Sequence, residues 1–194
     1  MSAGVGDDPI PAGPFGAWRA SLLDALAGRA DAEVACGSCV ACCTSSQFVH
    51  IAPDEADALA HIPAELCFPA PGAPPGHVLL GYDEHGRCPM FRDGGCSIYA
   101  HRPRTCRTYD CRVFAATDVD VAVEGKVEIA ARAARWRFDH PTAADAADHE
   151  AARRAAAHLA AHPEELPGGG PLPATQLAVV AVERADAFRV PPSA

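Results

Sequence analysis

Nine cysteines dominate the chemistry open to this chain. Cys36, Cys39 and Cys42 form a ladder with two residues between rungs, and Cys43 follows at once. Cys88 and Cys96 bracket Arg92-Asp93-Gly94-Gly95, Cys106 and Cys111 close the series, and Cys67 stands alone in a proline-rich stretch. Thiolates are soft, anionic ligands suited to zinc, cuprous copper and iron–sulfur clusters. Structural zinc takes four ligands, commonly as two pairs brought together by the fold. Iron–sulfur clusters also take four thiolates.

The ladder opens as a bacterial ferredoxin motif does, but Ser46 stands where the next cysteine belongs. A remote cysteine would have to complete such a set, and Cys88, followed by Pro89, has the local form of one. Side chains of adjacent residues diverge, by about 100° on a helix or to opposite faces of a strand. Cys42 and Cys43 therefore point to two sites, or to one site beside a free thiol. The clustered eight cysteines fill two sets of four, and one site plus a reactive pair is equally allowed. Cys67 reads as an ordinary small hydrophobe. A redox Cys-x-x-Cys would need a thioredoxin-like βαβ setting that the sequence lacks.

The charge pattern bears on the same region. The chain has 16 Lys+Arg against 25 Asp+Glu, a net charge of -9. Between Gly86 and Arg112, however, Arg87, Arg92, Arg102, Arg104, Arg107 and Arg112 face only Asp93 and Asp110. Guanidinium groups beside a thiolate centre stabilise its negative charge, and they can equally bind a carboxylate or phosphate. Arg102 and Arg107 read as structural supports of the site, with plain surface charge as the alternative. Overall acidity argues against nucleic-acid binding by phosphate neutralisation. His50 and His101 lie near framework cysteines and could each replace a thiolate. His158 and His162 are four apart but lack a third ligand, so they read as surface. Tyr99 and Tyr109 could shield the site, with core packing the expected reading. No nucleophile elbow or P-loop is present, so whether the protein is an enzyme stays open.

At 194 residues with 49% hydrophobic and 21% charged side chains, the chain suits a packed fold rather than disorder. No apolar run approaches the roughly 20 residues that span a bilayer. The N-terminus lacks a secretory pattern. The expectation is a cytoplasmic protein with no membrane contact and reduced thiols.

The elements that must position the cysteines read as α+β. Phe15, Trp18, Leu22 and Leu26 make a helical stripe that stops at Gly28. A strand over 47–51 leads to a helix from Pro53 to about Ile62, and residues 63–76 read as loop. Arg92 to Gly95 turns a hairpin, and a short helix follows over Pro103–Tyr109. Ile129, Ala133 and Trp136 suggest a helix from Lys126, although Val119, Val121 and Val123 alternate as a strand would. Thr142 to Ala161 is a helix opened by a capping box of Thr142 and Asp145. Residues 163–173 read as linker, and 175–189 is ambiguous between helix and strand. The expected organisation is a flexible tail over 1–13, a cysteine-cluster metal-binding domain over 14–140 with a short β-hairpin, and a helical C-terminal extension over 141–194 packed on it.

Cys36-Gly37-Ser38-Cys39-Val40-Ala41-Cys42-Cys43, the strand and helix Phe48 to Ala56, Gly86-Arg87-Cys88-Pro89-Met90-Phe91, Gly95-Cys96-Ser97-Ile98-Tyr99, Arg102-Pro103-Arg104-Thr105-Cys106-Arg107 and Cys111 occur in a specific order. Over residues 34–115 this order resembles the YkgJ-like CxxCxxCC cysteine-cluster family, described as zinc- or iron-chelating. The resemblance implies eight metal ligands: Cys36, Cys39, Cys42, Cys43, Cys88, Cys96, Cys106 and Cys111. It implies zinc or iron as the cofactor, with an iron–sulfur cluster of redox or enzymatic use as the alternative. It leaves the biological role and any protein partner unassigned. Some longer relatives methylate flagellin lysines with S-adenosylmethionine, but residues 116–194 show no glycine-rich cofactor loop, and that activity is not carried over.

Overall fold

Proline and glycine, 18 and 16 residues, cut the chain into short elements. A computed structural model describes residues 8–32 and 34–190. Residues 1–7 of the expected tail lie outside the described residues. In chain order the elements are β1 (Ile10–Pro14), α1 (Phe15–Leu26), β2 (Val49–Ile51), α2 (Ala56–His61), β3 (Cys67–Pro69), β4 (Val78–Leu80), β5 (Phe91–Arg92), β6 (Gly95–Cys96), α3 (Arg104–Thr108), α4 (Arg112–Thr117), α5 (Val127–Ala133), β7 (Trp136–Asp139), α6 (Ala143–Ala161) and α7 (Ala174–Arg184). The class is α+β. No helix among the described residues is long and apolar enough to cross a membrane.

The described residues form two compact units, the N-terminal segment up to Leu23 together with the segment from Cys111 onward, and the segment from Asp24 to Asp110. The first is discontinuous because β1 pairs in parallel with β7, Ile10 opposite Trp136. Residues 10–13, read from sequence as tail, are therefore strand. Trp136, read as the end of a helical stripe, instead opens β7, while Ile129 and Ala133 do lie on α5. Phe15, Trp18 and Leu22 are buried on one face of α1, whereas Leu26 is exposed. Phe15 and Trp18 both pack against Phe138.

The capping box at α6 forms as its sequence predicts. The Asp145 N–H donates to Thr142 Oγ1 and the Thr142 N–H donates to Asp145 Oδ2, both at 3.1 Å. Asp145 also accepts the Gly16 N–H at 2.9 Å, which ties the start of α1 to the start of α6. A Cβ on residue 16 would lie 2.8 Å from that carboxylate oxygen, so a larger residue there would push the Asp145 carboxylate aside. Ala151, Ala152, Ala155 and Ala156 of α6 and Ala178 and Ala181 of α7 are buried, and small side chains let these helices and α4 approach closely. The ambiguous 175–189 segment thus resolves as helix over most of its length.

The second unit holds an antiparallel sheet in the order β2-β4-β3, with His50 and Phe68 both opposite Leu79. Strand β3 lies inside the stretch read as loop. Val49, Ile51, Ile62, Leu80, Met90 and Ile98 form its core. Cys67, Cys88, Cys96 and Cys106 pack against that core, partly buried. The expected hairpin is β5–β6. Asp93 and Gly94 have φ of 51° and 81°, the double positive pair that a two-residue turn of this twist requires.

Candidate metal centre

Short backbone bonds bring four thiol-bearing segments of the second unit together. Cys43 ends the 3₁₀ turn Ala41–Cys43, and its carbonyl accepts the Cys88 N–H at 2.8 Å. The Phe91 N–H returns to the Cys88 carbonyl at 2.8 Å and leads into β5, where Phe91 stands opposite Cys96. Ser97 closes the hairpin by donating its N–H and its hydroxyl to the Met90 carbonyl, at 2.8 and 2.9 Å. Cys106 lies on α3. That helix is fixed to β2 by Thr105 Oγ1, which donates to the His50 carbonyl at 2.6 Å. Glu55 adds a second tie by accepting the N–H groups of Ala52 and Arg104.

Four of the thiols bear on one another electrostatically. Every pair among Cys43, Cys88, Cys96 and Cys106 interacts strongly enough that one thiolate raises its neighbour's pKa. Burial contributes most and the neighbouring thiols add to it, pushing Cys43 up to about 11 and Cys106 up to about 12. Burial also pushes Cys88 up. Arg102 opposes the rise at Cys43 and Cys106. Its guanidinium lies 3.6 Å from the Tyr99 ring centroid, and its Nε donates to the Tyr99 carbonyl at 2.8 Å. Tyr99 is 62% exposed, which corrects its reading as core; it holds an arginine beside the thiols. Arg107 is a structural tie, donating to Asp31 at 3.1 Å and to the Arg102 carbonyl at 2.6 Å.

Cys39 also bears on Cys43 electrostatically. Cys36 is exposed and Cys42 half-buried. Cys111 is buried in the first unit, where its sulfur accepts the Trp136 indole N–H at 3.2 Å. His50 pairs with His77, Nε2 to Nδ1 at 2.9 Å, and His101 pairs with Asp57. His158 and His162 lie together at the surface, rings tilted 32° to each other, beside Glu165 and Glu164.

Three metal-type donor atoms within 4.8 Å of one another occur at Asp57, His61 and His101, and at His162, Glu164 and Glu165. The sequence reading singled out neither Asp57 nor His61. Their spacing of four on an expected helix was the available signal, but the return of His101 to that helix is a tertiary fact.

Residues 35–123 match the family model CxxCxxCC, described as a "putative zinc- or iron-chelating domain". No curated protein matches the chain, and no solved structure matches it.

Proposed function

We propose that this protein binds zinc or iron through its cysteine framework, with Cys43, Cys88, Cys96 and Cys106 as one four-thiolate site. What supports this reading is that each of those four thiols bears electrostatically on the other three, on segments joined by the Cys88 N–H to Cys43 carbonyl bond and the β5–β6 hairpin. The donor set fits the ion chemically: four soft ligands, partly desolvated, with one cation, Arg102, to offset the charge of a metal–thiolate centre. The bound metal would supply charge that replaces the thiol protons and cross-links β5–β6, α3 and the turn at Cys43. The remaining cysteines of the family-type framework are Cys36, Cys39 and Cys42 of the ladder and Cys111.

Cobalt substitution tests this. Cobalt bound by thiolates gives an intense sulfur-to-metal charge-transfer band, which nitrogen and oxygen ligands do not give. The wild-type chain should show that band, and the Cys88→Ser and Cys106→Ser variants should show it weakened. An undiminished band in both variants would reject the assignment.

A further inference from the structure

Asp57 and His61 sit one turn apart on α2, and both side chains reach toward His101, which ends the 3₁₀ turn Tyr99–His101. The two imidazoles stack face to face with centroids 3.5 Å apart and planes 7° from parallel. His101 Nδ1 lies 3.1 and 3.0 Å from the two Asp57 carboxylate oxygens. His61 Nδ1 lies 2.8 Å from the Asp57 carbonyl oxygen and 3.8 Å from its carboxylate. One ring nitrogen from each histidine and one Asp57 oxygen fall within 4.8 Å of one another.

We propose that Asp57, His61 and His101 form a second metal site, separate from the cysteines, that takes a borderline divalent cation such as zinc, cobalt or nickel.

The donor chemistry sets the ion class. Imidazole nitrogen with a single carboxylate suits zinc, nickel, copper and iron, whereas the thiols favour softer or cluster-bound metals. Two imidazole nitrogens and one carboxylate oxygen are a donor set that suits a divalent cation. Hydrogen bonding from His101 holds the Asp57 carboxyl below the usual carboxylate range, so the oxygen ligand is anionic at neutral pH. Arg107 also bears on Asp57 electrostatically, but it is paired with Asp31. The site is open to entering ions: the side chains of His61, His101 and Asp57 are 40%, 39% and 70% exposed.

The test is a cobalt titration of the full chain. Wild type should bind a second class of cobalt that adds ligand-field absorption without sulfur charge transfer. The His61→Gln/His101→Gln double variant should bind that class at least about tenfold more weakly, by analogy with the loss seen when a supporting group of a metal site is removed. It should keep the sulfur band. All three side chains are surface-exposed, so the variant should fold, and an unchanged far-ultraviolet dichroism spectrum checks this. A second measurement needs no variant: cobalt should broaden the ring-proton resonances of His61 and His101 in the wild-type chain. A second class of equal affinity in the double variant, or ring protons untouched by cobalt, overturns the proposal. If the sulfur band is absent while the histidine-dependent class persists, the four-thiolate reading fails and this one stands.

Discussion

Ser46 donates its backbone N–H to the Gly86 carbonyl at 2.8 Å, joining the loop after the cysteine ladder to the segment that enters Cys88. The approach is close. Gly86 has a φ of 73°, and a Cβ there would lie 2.4 Å from Ser46 Oγ. A non-glycine residue in this left-handed region costs roughly 1–2 kcal/mol. Gly86→Ala should therefore lower retained metal while every cysteine remains, as read by metal per chain after gel filtration. Metal content equal to wild type would show that this crossing does not position the thiols.

The proposed four-thiolate site predicts a contrast between cysteines. Cys106→Ser removes a sulfur that interacts with three others and should cost most of the metal of that site. Cys67 packs beside the same core, but its raised pKa has burial as its only cause. Cys67→Ser should leave metal content unchanged. Equal losses from both would mean that the framework has been divided wrongly.

Proton release follows from the raised thiol pKa values. Thiols near 11 and 12 are protonated at neutral pH, so an incoming cation must displace one proton from each thiol it binds. Affinity should then rise as pH rises, because protons compete less. Zinc added to the metal-free chain in weak buffer should acidify the solution, and no acidification would contradict thiolate ligation.

His149 predicts acid sensitivity in the first unit. It is 5% exposed, stacked on Phe15 at 4.5 Å, with its Nδ1 2.8 Å from His140 Nε2. Burial, with help from Arg153, lowers its pKa from 6.5 to about 4. Above pH 6.5 the ring is neutral folded or unfolded, and the group adds no pH slope. Below that the unfolded chain binds the proton more readily, so stability falls as pH drops toward 4, by up to about 3 kcal/mol from this group. Denaturant midpoints of wild type and His149→Gln should converge across that range. Parallel curves would show that His149 is not held neutral.

The readable parts of the fold were those governed by local chemistry. The Asp93-Gly94 turn, the Thr142–Asp145 box and the stripe of Phe15, Trp18 and Leu22 each depend on neighbours within a few residues. Trp136 could not be read, because its strand exists only through Ile10, far off in sequence. Strands β3 and β4 are three residues each, too short for alternation to show. The metal-like character of the cysteines was legible from spacing. The spatial relation of their segments was not, since it depends on the Cys43–Cys88 backbone bond and the anchoring of α3 by Glu55. The pairing of Asp57 with His101 was hidden for the same reason.

Elemental analysis of the chain purified without oxygen, with its visible spectrum, tests the central claim most directly. The account predicts bound zinc or iron in near-integral amount, lost in a Cys88→Ser/Cys106→Ser double variant. Colour with acid-labile sulfide would identify an iron–sulfur cluster, and a colourless protein with zinc would identify a zinc centre. A wild-type chain that carries neither metal and takes up neither when they are supplied would contradict the account.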